Sequence, residues 1–490
     1  MSETLKQKAV KGMGWSFLEN TANLGVTFIV GLILARLLSP AEFGIIGIIT
    51  IFISISNTIV DSGFSNALIR RNDANEVDYS TVFYFNIGLS ILLYFLLFFL
   101  APAISVFFNQ PSLTKLIRVM GLVLIVNAFS IIQNTILIKK VDFKKLTKIS
   151  LLSSFCGGAL GLTMAFSGFG VWSLVGQQLS RQLINTILLW IYNQWLPIFQ
   201  FSYIRFKSLF SYGSKLLIAS LIDSIYNQLY SIIIGKFYKA SDLGQYTRAQ
   251  QFCNIFSNNL SSIVQRVSYP VLSSIQQEET RLKNGFKKTI KSTMLVSFLV
   301  MFGLAAIAKP LIVILIGEKW LPSVYYLQIL CFSGMFYPFH AINLNILQVK
   351  GRSDLILKLE IIKKIIAVVP IVLGVFYGIV TMLWSGFFVN IIAVYMNTYY
   401  SKKLINYSLQ EQLRDILPFF MISSMMGILV WSLSLLDLSV WIILPLQLFS
   451  GFVIYVGLNE LYRSEDYVEI RNIVVRNIKR ILHVNRGDIK

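Results

Sequence analysis

The sequence predicts an all-α integral membrane protein of about 14 transmembrane helices: two six-helix lobes forming a parallel repeat, plus two extra C-terminal helices. Three observations predict this. First, the 490 residues are 55% hydrophobic and 13% charged, with a mean hydropathy of +0.68. That is too little charge to clothe a soluble surface. Second, apolar stretches of spanning length, roughly 20 residues for a ~30 Å hydrocarbon layer, recur along the whole chain. Third, Lys and Arg gather on one side of the resulting topology. The net charge of +20 is therefore read as cytoplasmic loop charge, and no nucleic acid is an expected partner.

The first span is 14–37. Lys6, Lys8 and Lys11 before it imitate a signal peptide. The run is too long for one, holds Glu19 and lacks a small-residue cleavage site, so it is a retained span. Spans follow at 41–68, 81–100, 117–138, 146–167 and 170–192. The linker NQWLPIFQFSYIRFKS leads to 209–235, then 241–272 and 290–308. The last five are 324–347, 356–378, 380–400, 414–436 and 438–461. Cys156, Cys253 and Cys331 lie in apolar segments and imply no disulfide framework.

The stretch 241–272 holds Arg248, Arg266 and many amides, so its status as a span must be argued. With it, one side of the membrane receives 33 of the 43 Lys and Arg, the other 7, and 3 stay inside spans. Without it, RLKNGFKK and every later basic loop would change sides. The positive-inside rule therefore makes it a crossing helix, with both termini cytoplasmic. An internal repeat agrees: ILARLLSPAEFG (33–44) aligns without gaps to IIGKFYKASDLG (233–244), with Gly44 on Gly244. APAISVFF (101–108) repeats as KPLIVILI (309–316) in the same order. The domains expected are an N-lobe at 1–192, a cytoplasmic linker at 193–208 and a C-lobe at 209–400. An extra helix pair at 401–461 and a cytoplasmic amphipathic tail at 462–490 complete the chain. Six spans per half give both halves one orientation, as in transporters made of parallel repeats.

Charges at membrane depth cost about 2.5–3.5 kcal/mol each on insertion scales, so they face a cavity or a partner. On a helix, Arg248, Gln251, Ile255, Asn258, Ser262 and Arg266 share one stripe that could line a hydrated groove holding an anion. The competing reading is that both arginines snorkel to the headgroups. Asp223 lies mid-span beside Asn227 and Gln228, as a cation or proton site or as an ion-pair partner. Glu19 and Lys215 lie near cytoplasmic ends, and Asp61 can pair locally with Arg70 or Arg71. Arg181 sits in span 6 among Gln177, Gln178, Gln182 and Asn185, with Asn127, Gln133 and Asn134 in span 4. Such amides bond sugar hydroxyls and also join helices. His340 reads as packed, and Gly157 with Gly161 as a close helix contact. No Walker A, dinucleotide or metal-site pattern occurs, and no extracytoplasmic loop is long enough for a catalytic domain. An enzyme is not expected, and no cofactor or metal.

Four segments in order resemble the polysaccharide transporters of the multidrug/oligosaccharidyl-lipid/polysaccharide superfamily, near colanic and teichuronic acid exporters of Wzx type. They are KGMGWSFLENTANLGVTFIVGLILARLLSPAEFGIIGI, DSGFSNALIRR, KASDLGQYTRAQQF and PLIVILIGEKWLPSVYYLQIL. The resemblance implies a flippase of the bacterial cytoplasmic (inner) membrane, serving export of O-antigen, capsule or similar polysaccharide. Its partner would be an undecaprenyl-pyrophosphate-linked oligosaccharide, besides membrane lipids and polysaccharide polymerase machinery. It implies a central cationic cavity lined by spans 1, 2, 7 and 8, working by alternating access. The pyrophosphate would meet Arg248 first, with Arg266, Lys215 and Arg181 as further cations. Gln251, Asn258 and Asn227 would face the sugars, and Asp223, Asp61 and Glu19 are coupling or ion-pair candidates. The alternatives are a cation-coupled multidrug exporter of the same superfamily and a membrane-embedded glycan polymerase or ligase.

Overall fold

The computed structural model describes residues 5–71, 73–469, 471, 472, 475 and 476, excepting the side chains of 5–14, 16–20 and 212. The described residues are helical with no strand. In order the helices are α1 (Leu5–Leu37), α2 (Pro40–Asp61), α3 (Phe64–Arg70), α4 (Glu76–Phe107), α5 (Leu113–Met120) and α6 (Leu122–Lys139). Next come α7 (Phe143–Phe166), α8 (Trp172–Asn193), α9 (Tyr203–Phe237), α10 (Ala240–Ser274), α11 (Glu279–Ile316) and α12 (Leu321–Gly334). The remainder are α13 (Tyr337–Val349), α14 (Ser353–Ile366), α15 (Val368–Tyr377), α16 (Ile379–Ile405), α17 (Leu409–Ser432) and α18 (Val440–Tyr462).

Every stretch expected to span is helical. Among the described residues, nine helices are long and apolar enough to cross a membrane on those grounds alone. The 241–272 stretch is one uninterrupted 35-residue helix, α10, about 52 Å long at ~1.5 Å per residue. It has the length of a span but not the apolarity, and is not among those nine. Span 2 is broken: Ser62 and Gly63 take positive φ (47° and 69°), ending α2 and restarting the chain as α3. The tail helix expected around 470–482 lies largely outside the described residues.

The chain divides into two compact units, Met1–Thr247 and Arg248–Lys490. In the first, α7 packs on α8 and α1 through small residues. A Cβ added at Gly157 would lie 2.7 Å from the Cβ of Arg181, and one at Gly161 2.7 Å from that of Gln177. The GxxxG thus lets α8 approach at two positions one turn apart, which fixes the helix that carries Arg181.

The repeat read in the sequence has a structural counterpart. Ser39 donates its N–H to Glu42 Oε2 at 2.7 Å, and Lys239 donates its own to Asp242 Oδ2 at 3.2 Å. The aligned acids thus cap the first turns of α2 and α10 alike. Those turns then press together. A Cβ at Gly44 would stand 1.7 Å from the carbonyl O of Ala240, and one at Gly244 1.8 Å from that of Pro40. Positions 40 and 240, and 44 and 244, are aligned in the repeat, so the contact is reciprocal.

The linker after α8 is folded down along α4. Trp195 is buried beside Phe83, and its carbonyl accepts from Gln133 Nε2 at 2.9 Å. Ile198 N–H donates to Ser80 Oγ and Ser202 N–H to Thr81 Oγ1. At its end Arg205 reaches Asp78 at 2.8 Å, a fully buried carboxylate that also takes Arg71 at 3.4 Å.

In the second unit, lysines along the start of α11 are paired one by one with carboxylates. Lys283 meets Glu411 (3.3 Å), Lys287 meets Asp415 (2.9 Å), Lys288 meets Glu469 (2.7 Å), and Lys291 meets Asp466. The segment after α18 is therefore laid against α11. Glu411 also accepts the Ser408 N–H, closing the capping box of α17. Deeper in, Asn343 accepts from Ser401 and donates to Gln412. His340 shares a 3.0 Å hydrogen bond with Asn397, in a packed position as expected.

Candidate functional site

Two polar helix surfaces are candidates, each taken by itself: that of α9 in the first unit and that of α10 from Arg248 onward in the second. On α10, Asn258, Ser262 and Arg266 of the expected stripe are exposed. A guanidinium and amides left uncovered on a helix call for water or a polar ligand rather than hydrocarbon. Along α9 the same holds for Lys215, Asp223 and Asn227, all exposed.

Arg248, on the same stripe, is held differently. It is 7% exposed, donates to Gln251 Oε1 at 2.6 Å and lies 5.8 Å from the centroid of the Trp320 ring. The i, i+3 spacing makes the Gln251 bond local, and the indole adds a cation–π contact from the short turn between α11 and α12. Gln251 thus serves the arginine. Trp320, fully buried, was missed in the sequence because helical phase shows a stripe but not what stands opposite it.

The other expected residues separate. Asp61 accepts from the Ser65 hydroxyl, while Arg71 pairs with Asp73 and Asp78. The side chain of Glu19 lies outside the described residues. Arg181 lies within the first unit, in the wall of a cavity of about 550 Å³ formed by α1, α2, α6, α7 and α8. Gln177, Gln178, Gln182, Asn185, Asn57 and Asn134 share that wall, with Ser150 and Ser153. Arg181 Nη2 donates to Asn23 Oδ1 at 3.2 Å, an oxygen that also takes the Ser154 hydroxyl. Gln182 donates to Asn127, which donates to Asn57 at 2.9 Å. Asn23 and Asn57 were not singled out in the sequence; each is an isolated amide in an apolar span, and only the packing gathers them.

Residues 33–325 match the family described as "Polysaccharide biosynthesis protein", more than half of the chain. The chain belongs to that family. Among curated relatives, the teichuronic acid biosynthesis protein TuaB of Bacillus subtilis (strain 168) is 28% identical, over 77% of this chain and 79% of its own. The lipopolysaccharide biosynthesis protein WzxC of Escherichia coli (strain K12) is 23% identical, over 76% of each. Among solved structures, the lipid II flippase MurJ in an inward closed conformation superposes with a TM-score of 0.74 at 14% identity, covering 93% of this chain and 99% of that one. An inward-facing multidrug resistance MATE transporter of the MOP superfamily gives 0.62 at 17%, covering 78% and 94%. The chain is therefore a multi-pass membrane protein with the fold of these two solved structures.

Proposed function

We propose that the protein flips an undecaprenyl-pyrophosphate-linked oligosaccharide from the cytoplasmic to the outer leaflet by alternating access. The observation that carries the reading is α10: a helix of spanning length, in a polysaccharide biosynthesis family, whose uncovered side offers a guanidinium and amides. A lipid-linked glycan presents phosphates and hydroxyls, and both must cross a layer where water is scarce. Arg266 and Lys215 meet the phosphates through charge-assisted bonds, with Arg248 the further cation along α10. Asn258 and Asn227 receive hydroxyls, and Gln251 holds Arg248 in place. Asp223, on the uncovered side of α9, is the residue proposed to couple the cycle to a cation gradient. A cationic surface suits an anionic cargo and disfavours the cationic drugs of a multidrug exporter.

The test is the leaflet distribution of lipid-linked glycan in cells lacking the protein, read by protection of the glycan from an impermeant oxidant. Glycan should accumulate on the cytoplasmic leaflet and be restored by the wild type. Arg266→Ala and Arg248→Ala should each cut the restored flux by about tenfold, the weight of one charge-assisted contact, and the lysine replacements by less. Normal outer-leaflet glycan together with altered sensitivity to cationic drugs would overturn the proposal in favour of drug export.

A further inference from the structure

We propose that the cavity inside the first unit is a binding site for a singly charged anionic group, held by Arg181. This goes beyond the transport reading and does not depend on it.

The first ground is charge. Arg181 is a guanidinium at membrane depth, and among the described residues no carboxylate pairs with it or lines the cavity. Its protein hydrogen bond is to a neutral amide oxygen, Asn23 Oδ1. That uses one of the five N–H donors a guanidinium carries. A cation whose partners among the described residues are all neutral leaves its counter-charge to be supplied by a bound anion.

The second ground is the wall. Gln177, Gln178, Asn134 and Asn185 border the cavity, and none of these side chains hydrogen-bonds to any described residue. By contrast Gln182, on the same wall, is committed to Asn127 and Ser130. Uncommitted amides beside an arginine offer N–H donors to an anion and both donors and acceptors to hydroxyls carried with it. The third ground is rigidity. Gly157 and Gly161 seat α8 on α7 at the level of Arg181 and Gln177, so the donors are held in place before a ligand arrives. A volume of about 550 Å³ lies within the range of small-molecule pockets, roughly 300–1,000 Å³.

Two sources supply this chemistry: a free inorganic anion, or a carboxylate borne on a sugar. The test uses the purified full-length protein in phosphatidylcholine nanodiscs and a chloride-free zwitterionic buffer. Glucuronate, glucose and chloride are titrated against the melting temperature, since a ligand of the native state raises it in proportion to occupancy. Glucuronate or chloride should act at concentrations at least about tenfold below glucose. Arg181→Gln should erase that preference and Arg181→Lys keep part of it, while Gln178→Ala should weaken glucuronate with the arginine in place. Chloride acting alone and displacing glucuronate identifies a free anion; glucuronate acting without chloride identifies an acidic sugar. Equal response to glucuronate and glucose, no response to any of the three, or a preference that survives Arg181→Gln overturns the proposal. Because no flipping is measured, failure here leaves the transport reading standing, and the reverse also holds.

Discussion

Gly44→Ala is expected to abolish most flipping and to lower the melting temperature, and Gly244→Ala to do the same. The new Cβ would stand 1.7 Å from the Ala240 carbonyl oxygen, or 1.8 Å from that of Pro40. Van der Waals contact needs roughly twice that. The obstacle is backbone in the first turn of a capped helix, so it cannot rotate away as a side chain would. The two helices must separate, at a cost at or above the upper end of the 1–3 kcal/mol usual for overpacking. Gly47→Ala is the control. Its Cβ would meet only side-chain atoms, those of Leu243 at 3.4 Å and Thr247 at 3.5 Å, and it should stay within about 0.5 kcal/mol of the wild type. The double variant Gly44→Ala/Gly244→Ala should cost clearly less than the sum, because one separation relieves both clashes. Melting curves in detergent with the leaflet assay decide. Wild-type behaviour of both single variants would show that the helices do not meet this closely.

Asp78→Ala should give the other large loss, here of stability. Asp78 is fully buried and accepts from Arg205 at 2.8 Å and Arg71 at 3.4 Å. It also closes the capping box of α4, taking the Asn75 N–H at 3.0 Å. Removing one member of a buried pair costs about 3–5 kcal/mol, and a lost cap about 1. Both arginines are about a third exposed, at 33% and 28%, and can turn to water. The expected loss is therefore about 2–4 kcal/mol, less than the full figure. Arg205→Ala should cost less, because Arg71 stays to compensate the carboxylate. The linker should also become a site of proteolytic nicking in Asp78→Ala, since Arg205 ties its end to α4. An unchanged melting temperature with an uncut linker would rule this account out.

Much of this was legible in the residues. Apolar length located most of the helical stretches, and the count of Lys and Arg on each side predicted a helix at 241–272, where the chain is helical although its composition is polar. The 33–44 and 233–244 alignment, with two identities in twelve positions, was legible because caps and a glycine are positional demands of the backbone. What escaped needed partners distant in sequence. Asp78 was not singled out in the sequence, and nothing local says that Arg205 will cover it. The linker read as polar and aromatic, while its backbone donors go to Ser80 and Thr81. The break at Ser62 was hidden inside an apolar run whose period continues through it. The stripe on α10 was drawn from helical phase alone, and periodicity could not tell that Arg248 is buried near Trp320 while Arg266 is exposed.

The reciprocal contact of Pro40 and Gly44 with Ala240 and Gly244 has the form of a homodimer interface, the same patch meeting itself. Here both copies lie on one chain, each encoded separately. In a true homodimer any change is written into both sides at once, so the patch can only be kept or lost whole. A duplicated patch frees one side to vary alone, and α2 has Pro at the first position where α10 has Ala. The glycines have no such freedom, since each makes room for the other copy's carbonyl. Divergence between the halves can therefore proceed everywhere on this face except at the two residues that hold the symmetry.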